Sequence, residues 1–474
     1  MRYLTKTMLI TLILVNLFQV NINAQQPQQQ PQVYQITAKD AIDIAFKNLA
    51  DLKNARLDYK MAEARNKEFT GLALPQITGS AQGNHYLTLP LIQFPDGSEI
   101  QIYDVLKQEG VKDGSGNPIT KTGEFNYRNF SFITPWNVNA GISVNQLLFE
   151  PQVFVGLQAR DELLVNSDLQ LKVTEEKVKE TVYRNYYGVL IAQKQLGYVV
   201  ESIKRLEKLV HDQNEMFKNG FVERLDIDKT TVNLNNTKTS EIQLRTAVNN
   251  GVALLKMNLG LIQADSLILK DTLSSDGIRQ GILEDDFSFE NRNEVKLLNS
   301  AIKLQNYDMR RHKLSYFPTV SAFYNFQENG QRQGGDAGGS QPWFWYNTNL
   351  VGINVSVPIF DGFQKKNRIR QSKFTLEKTQ NTLDMTIKAI DMEKTVARNT
   401  LINAIVAMDA QEKNMELAVK VYNSVKTKYE QGVGSSFESL QADTDLQQAQ
   451  SNYFRAMYEA ALAKINYLKA LGRL

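Results

Sequence analysis

Gly141-Ile-Ser-Val-Asn-Gln-Leu-Leu-Phe-Glu150 and Gly352-Ile-Asn-Val-Ser-Val-Pro-Ile-Phe-Asp361 are one pattern written twice in the same chain. Each alternates an aliphatic residue with a small or polar one, then runs into an aromatic and an acid. A period of two sends successive side chains to opposite faces of a strand. Val138, Ala140, Ile142 and Val144 therefore share one face, with Asn139, Gly141, Ser143 and Asn145 on the other. Val351, Ile353, Val355 and Val357 stand likewise against Gly352, Asn354 and Ser356.

The duplication extends outward from these strands. Phe217-Lys-Asn-Gly220 recurs as Tyr429-Glu-Gln-Gly432, and Leu259-Gly260-Leu261 as Leu471-Gly472-Arg473. Upstream, Leu74-Pro75-Gln76-Ile77 answers Phe317-Pro318-Thr319-Val320. Each half reads as helix, strand, loop, strand, long helix, tight turn and long helix. The first repeat spans 37–262, with strands at about 77–86 and 137–148, an outer loop over 87–135 and a helix hairpin over 152–262. The second spans 291–474, with strands at about 319–328 and 347–358 and a hairpin over 361–472. Residues 263–290 break the helical pattern and read as an equatorial connector. The first half carries an insertion of roughly 30 residues within its outer loop.

The long helices follow from 3-4 spacing. Val189, Ala192, Leu196, Val199, Ile203, Leu206 and Val210 form one narrow apolar stripe, and Leu401, Ala404, Met408, Met415, Ala418, Tyr422, Val425 and Tyr429 form another. A seven-residue repeat of this kind lays one helix along a neighbour and supercoils it to the left. Gly220 and Gly432 then supply the left-handed backbone that ends each helix. Helices alone would suit a soluble coiled-coil hairpin. The strands argue against it, because small polar residues on one face and aliphatics on the other suit a membrane barrel with water inside and lipid outside. Aromatics mark both ends of the strands: Trp136, Trp343 and Trp345 at one, Phe149 and Phe360 at the other. Four strands cannot close a barrel, and an open sheet edge is not tolerated in lipid. Two copies would give eight strands with a filled interior; three would give twelve and room for a conduit.

Composition narrows the function further. The 474-residue chain has no cysteine, three scattered histidines and a formal net charge of +3 with both signs interspersed. Disulfides, thiolate metal sites and cysteine nucleophiles are thereby excluded, and no basic footprint for nucleic acid exists. No set of residues converges as nucleophile, base or metal ligands, so neither an enzyme nor a cofactor is expected. Arg2 and Lys6 followed by the apolar run Met8 to Val20 read as a signal peptide over 1–24, and the Gln/Pro-rich stretch 25–36 as a flexible segment.

Together these features resemble the TolC-type outer-membrane efflux proteins over nearly the whole chain after the leader. The carriers are the duplication, the Pro358-Ile-Phe-Asp-Gly362 strand-to-helix junction, the Leu74-Pro75 helix-to-strand junction and the glycine turns at 220 and 432. The resemblance implies an α+β membrane protein: a homotrimer with a twelve-stranded barrel in outer-membrane lipid and a tunnel of long antiparallel coiled-coil helices in the periplasm. It also implies a passive exit duct for drugs, small molecules or proteins, delivered by an RND- or ABC-type inner-membrane transporter through a periplasmic adaptor. A trimeric adhesive or structural coiled coil on a barrel anchor is the alternative.

Within that resemblance, the family's acid six positions after each tip glycine falls on Asp226 and Glu438. Its second acidic ring falls on Gln441, with Asp443 nearby. An arginine that latches neighbouring helices in some relatives is replaced by Gly434, which leaves Arg224 as the available substitute. Adaptor contact is expected at Gly220, Phe221, Val222, Gly432, Val433 and Gly434.

Overall fold

The computed structural model describes residues 31–272, 274–279, 287–334 and 341–474. The expected signal peptide, the first half of the 25–36 Gln/Pro stretch, part of the 263–290 connector and residues 335–340 lie outside those residues; the end of the stretch expected to be flexible, Val33–Ile36, is a strand. In chain order the elements are β1 (Val33–Ile36), α1 (Ala38–Asn48), α2 (Ala50–Gly71), β2 (Gln76–His85), β3 (Ile92–Asp96), α3 (Ser98–Gln108), β4 (Asn126–Phe130), β5 (Trp136–Phe149), α4 (Pro151–Lys218) and α5 (Arg224–Asn258). There follow β6 (Ser266–Leu269), α6 (Ser275–Arg279), α7 (Asn293–Leu314), β7 (Thr319–Arg332), β8 (Phe344–Ser356), α8 (Gln364–Glu430) and α9 (Ser436–Ala470). The chain divides into two compact units. One holds residues 55–172 and 289–389, the other holds residues up to 54, 173–288 and 390–474.

The first unit is organised by a four-stranded antiparallel sheet in the order β2-β5-β7-β8. Proline marks the boundaries where the chain changes conformation. Pro75 and Pro318 precede strands, where an extended preceding residue is favoured, and Pro151 opens α4, where its missing N–H costs nothing. Beside the sheet, α2, α4 and α7 are tied by polar contacts. Arg160 donates to the Thr70 hydroxyl at 2.8 Å, Asn66 donates to the Arg160 carbonyl at 2.8 Å, and Lys303 pairs with Glu162 at 3.3 Å.

Residues 87–135, expected as a loop, contain structure. β3 and β4 pair antiparallel from Ile92↔Phe130 to Asp96↔Asn126, and α3 lies between them. Pro95 inside β3 disguised the strand, since proline is confined to edge strands and this two-stranded ladder is all edge. Just before α3 the Asp96 carboxylate accepts from the Ser98 N–H at 3.0 Å, and Gly97 is the cap residue.

The second unit is helical, with α9 as its most buried member. Ala456, Ala460, Ala461 and Ala463 on α9 are buried, and their small side chains let other helices approach closely. Ile191 of α4, Met408 of α8 and Ile278 of α6 pack with Phe454, Met457 and Ala460 in one core cluster. Arg279 of α6 holds that short helix to α8 through Asp409 at 2.7 Å and Glu412 at 3.0 Å. Tyr453 donates to the same Glu412 at 3.3 Å; burial pushes its hydroxyl up to about 12, so it stays a neutral donor.

The parallel pair β1–β6 was not visible in the sequence, because four residues are too few to show a period. Its placement depends on long-range polar contacts. The Asp271 carboxylate accepts from the Ala38 N–H at 2.8 Å, and the buried Tyr186 hydroxyl donates to the Ile36 carbonyl at 3.0 Å. Tyr186→Phe removes one of two donors to that carbonyl, which still accepts from the Lys270 N–H at 3.0 Å. It should cost about 1 kcal/mol in denaturant unfolding and speed amide exchange across β1 and β6.

Candidate functional site: the sheet face and the glycine turns

Strand register carries one apolar row across all four strands. Ile77 pairs with Val144, Val144 with Tyr324, and Tyr324 with Val351, so these side chains share one face. Gly79, Ile142 and Phe326 continue it one step along and end on Asn349, and Ala322 with Ile353 lie one step the other way beside Gln146; two steps toward the tryptophans the same face carries Ala81, Ala140, Glu328 and Asn347. The opposite face carries Thr78, Ser143, Asn325 and Leu350, then Ser80, Gly141, Gln327 and Thr348. Ser143 and Asn325 hydrogen-bond there at 2.6 Å, and Asn329 bonds Thr348 at 3.3 Å. The apolar face is bare: Ile77 is 69 % exposed and Val351 77 %. An exposed aliphatic face of this extent on a sheet marks a contact surface with something apolar.

Simple alternation fails at one place. The register shifts between Leu147 and Phe149, which brings Phe149 opposite Val320 on the apolar face. Without the extra residue Phe149 would share the polar face with Asn145; a β-bulge re-aims it. The tryptophans gather at the far end of the sheet, where β2 stops and β8 starts. Trp136 stacks on His85 at 3.8 Å, Trp345 lies against Gly330, and Trp343 sits beside both Trp345 and Arg332. Phe360 is exposed beyond the other end and meets Phe363 edge-on at 5.4 Å.

In the helical unit the two glycine turns are the same motif. At the first, the Gly220 N–H donates to the Phe217 carbonyl and the Phe221 N–H to that of Met216, both at 3.0 Å. At the second, Gly432 donates to Tyr429 and Val433 to Lys428, also at 3.0 Å. Both glycines have positive φ, 78° and 76°. This is the double-bonded helix stop that a left-handed residue allows. It leaves Phe221 and Val433 protruding, 82 % and 75 % exposed, with Val222 half-buried behind Phe221.

Gly434 has a different reason to be glycine. A Cβ there would lie 2.9 Å from the Tyr429 backbone nitrogen. An arginine cannot occupy that position without moving the end of α8. Arg224 does not take over within the chain; it pairs with Asp228 at 3.2 Å on its own helix, and both are exposed.

The acids sort into three roles. Asp226 accepts from the Ser436 hydroxyl at 3.3 Å and so links the two turns. Glu438 is exposed in the first turn of α9, its N–H donating to the Ser435 cap at 3.1 Å. Gln441 is exposed on the same face one turn later and donates to Asp445 at 2.8 Å. Asp443, expected near an acidic ring, is instead turned inward and almost fully buried. Arg205 Nε donates to it at 2.8 Å, Ser202 at 2.9 Å and Gln447 at 2.8 Å. The Arg205 guanidinium also lies 5.2 Å from the Tyr422 ring centre. Burial pushes the Tyr422 hydroxyl above its usual range, so it titrates outside the neutral region. One arginine thereby joins α4, α8 and α9 above the turns. The exposed acid sequence reading missed is Asp445; its spacing from Glu438 is a helical i, i+7, which was the available signal.

Among the described residues, no helix is long and apolar enough to cross a membrane and no acid or histidine cluster could hold a metal ion. Residues 289–473 match the sequence family described as Outer membrane efflux protein. The chain is similar to outer membrane protein TolC of Vibrio cholerae, 20% identical over 344 residues that cover 71% of this chain and 77% of the relative. It is also similar to the alkaline protease secretion protein AprF of Pseudomonas aeruginosa, 22% identical over 70% of this chain and 68% of that one. Among solved structures, CusC superposes with a TM-score of 0.69 at 14% identity, covering 94% of this chain and 95% of that one. The Campylobacter jejuni CmeC outer membrane channel superposes at 0.68 and 17% identity, covering 94% and 90%.

Removing the inward acid takes away the partner of the half-buried Arg205 and of the Ser202 and Gln447 donors. Asp443→Ala should destabilise the solubilised protein by about 2 kcal/mol in denaturant unfolding. Asp445→Ala, on the surface, should stay within about 0.5 kcal/mol of the parent.

Proposed function

We propose that this chain, which belongs to the TolC-type outer-membrane efflux protein family, is one protomer of a trimeric channel through the outer membrane. The observation that carries the reading is the sheet: one face is predominantly apolar and exposed around the Ile77–Val144–Tyr324–Val351 row, the other is predominantly polar, and both edges are open. In hydrocarbon a sheet needs its apolar face outward and every backbone group paired, which only a closed barrel provides. Three copies supply twelve strands with the polar face around a water-filled lumen. The helices support the same assembly. α5 keeps Leu225, Val232 and Ile242 exposed, and α8 keeps Met385, Met392, Val396 and Val406 exposed. These are stripes for helices of neighbouring copies.

The chain does no chemistry in this reading; an inner-membrane transporter delivers drugs, small molecules or proteins to it. Phe221 and Val433 are the contact points for a periplasmic adaptor, since large apolar side chains at turns invite a partner. Glu438 forms the acidic ring at the periplasmic aperture, with Asp445 above it in place of Gln441. Repeated around one axis, these carboxylates repel one another and attract cations. The leader directs the chain across the inner membrane and is removed. An adhesive trimer would have no use for a polar strand face opposite a lipid-facing one.

Two variants of the sheet test the reading in planar bilayers. Val351→Arg places a charge on the lipid face, should cost about 2–4 kcal/mol at mid-membrane and should abolish channel insertion. Gln327→Glu, on the polar face, should insert normally and raise cation selectivity. Equal conductance from both, or from neither including the parent, contradicts a barrel with this face outward. Loss of cation block in Glu438→Ala with Asp445→Ala is the expected result for the aperture.

A further inference from the structure

The insertion between β2 and β5 is folded but has no interior. It contains the β3–β4 ladder and α3, an Arg128–Asp96 ion pair at 3.0 Å, and Lys121 lying 5.1 Å from the Tyr103 ring. Gly123 approaches α3 so closely that a Cβ would meet the Glu99 backbone at 2.3 Å. Yet among the described side chains of residues 86–135 none is buried. Phe94, Phe130 and Phe132 cluster edge-to-face, with ring centres 4.8 and 5.7 Å apart, and all three remain exposed. A segment with defined structure and an aromatic cluster in the open is built to be covered.

What covers it follows from where it is attached. The insertion leaves the sheet at the His85 end of β2, and β2 is an edge strand. At the same end of the other edge, β8 begins with Phe344, Trp345 and Tyr346, which are also exposed. β5 and β8 run one way while β2 and β7 run the other. A β2 edge set antiparallel against β8 of another copy therefore brings these two ends together. Lipid is a poor match, because Glu99, Asp104, Lys107 and Lys121 are distributed over the same segment.

We propose that the 86–135 insertion of one copy docks on the first residues of β8 of a second copy, Phe94, Phe130 and Phe132 packing against Phe344 and Tyr346. These two share one face of β8 with ring centres 5.7 Å apart, while Trp345 points to the other face over Gly330. The docking rests on the trimeric channel reading and adds a clasp across each seam at the outward rim. It assigns the insertion a role in holding copies together, distinct from closing the pore. Burying both aromatic groups together removes them from water at the place where the barrel seam would otherwise be held by strand pairing alone.

The chain has no cysteine, so introduced pairs report unambiguously. Phe132→Cys with Phe344→Cys, and Phe94→Cys with Tyr346→Cys, are made in the full chain, purified in mild detergent, sized by light scattering and treated with a short bis-maleimide. Loss of the protomer band to linked dimer and trimer bands in each double variant, with each single variant unlinked, is the expected result. A particle of three copies in which neither pair links overturns the clasp and leaves the channel reading standing. So does linkage of Phe132→Cys to itself, which would place the insertions against one another over the axis. A particle of one copy overturns the channel reading and the clasp with it.

Discussion

Backbone hydrogen bonding along the outer sides of β2 and β8 is the constraint on which the rest depends. Each strand pairs on one side only, so each presents a row of N–H and C=O groups with nothing to bond. Water could satisfy them, but water is a poor host for a face built from Ile77, Ile142, Tyr324, Val351 and Ile353. A lipid host suits that face and makes every unpaired backbone group cost several kcal/mol. The two demands are reconciled when the edges pair with edges of other copies. The proposed trimer is the smallest closure that leaves an aqueous lumen, and its apolar helix stripes on α5 and α8 find neighbours in the same step.

The helical unit solves a different problem, that of ending long helices in a defined way. Both turns use a left-handed glycine and the same two backbone bonds, so the return helices start in equivalent positions. Differences between the halves then lie in side chains. Asp226 is engaged with Ser436 across the turns, whereas Glu438 faces outward. Arg205, Asp443 and Tyr422 bind three helices just above the turns. That cluster belongs to one protomer and holds the local packing, so any movement of the turns must either leave it intact or separate the buried Asp443 from the half-buried Arg205.

The strands and long helices were legible because period-two and 3-4 patterns persist over many residues, and the duplication set them in order. β2, read from Ile77 to about Tyr86, runs from Gln76 to His85. What remained hidden depends on contacts that pattern cannot express. The bulge before Phe149 is a single inserted residue. The β1–β6 pair is short and joins segments more than 200 residues apart. The ladder inside the insertion is disguised by Pro95. At the turns, the glycine positions were readable, but the inward orientation of Asp443 was not. Its neighbours Glu438, Gln441 and Asp445 share one helical face, and two positions along the helix from Gln441 the side chain points to Arg205 instead. The absence of an arginine at 434 has a local cause in the close approach of that residue to the end of α8.

Copy number is the most direct test of the central claim, because edge pairing fixes it. The protein extracted from outer membranes in a mild detergent, stripped in the gas phase and weighed by native mass spectrometry, should give a particle of three chains. That particle should release single chains only on activation. A predominant species of one chain, or of two, would contradict an open four-stranded sheet closed by its own copies into a twelve-stranded barrel.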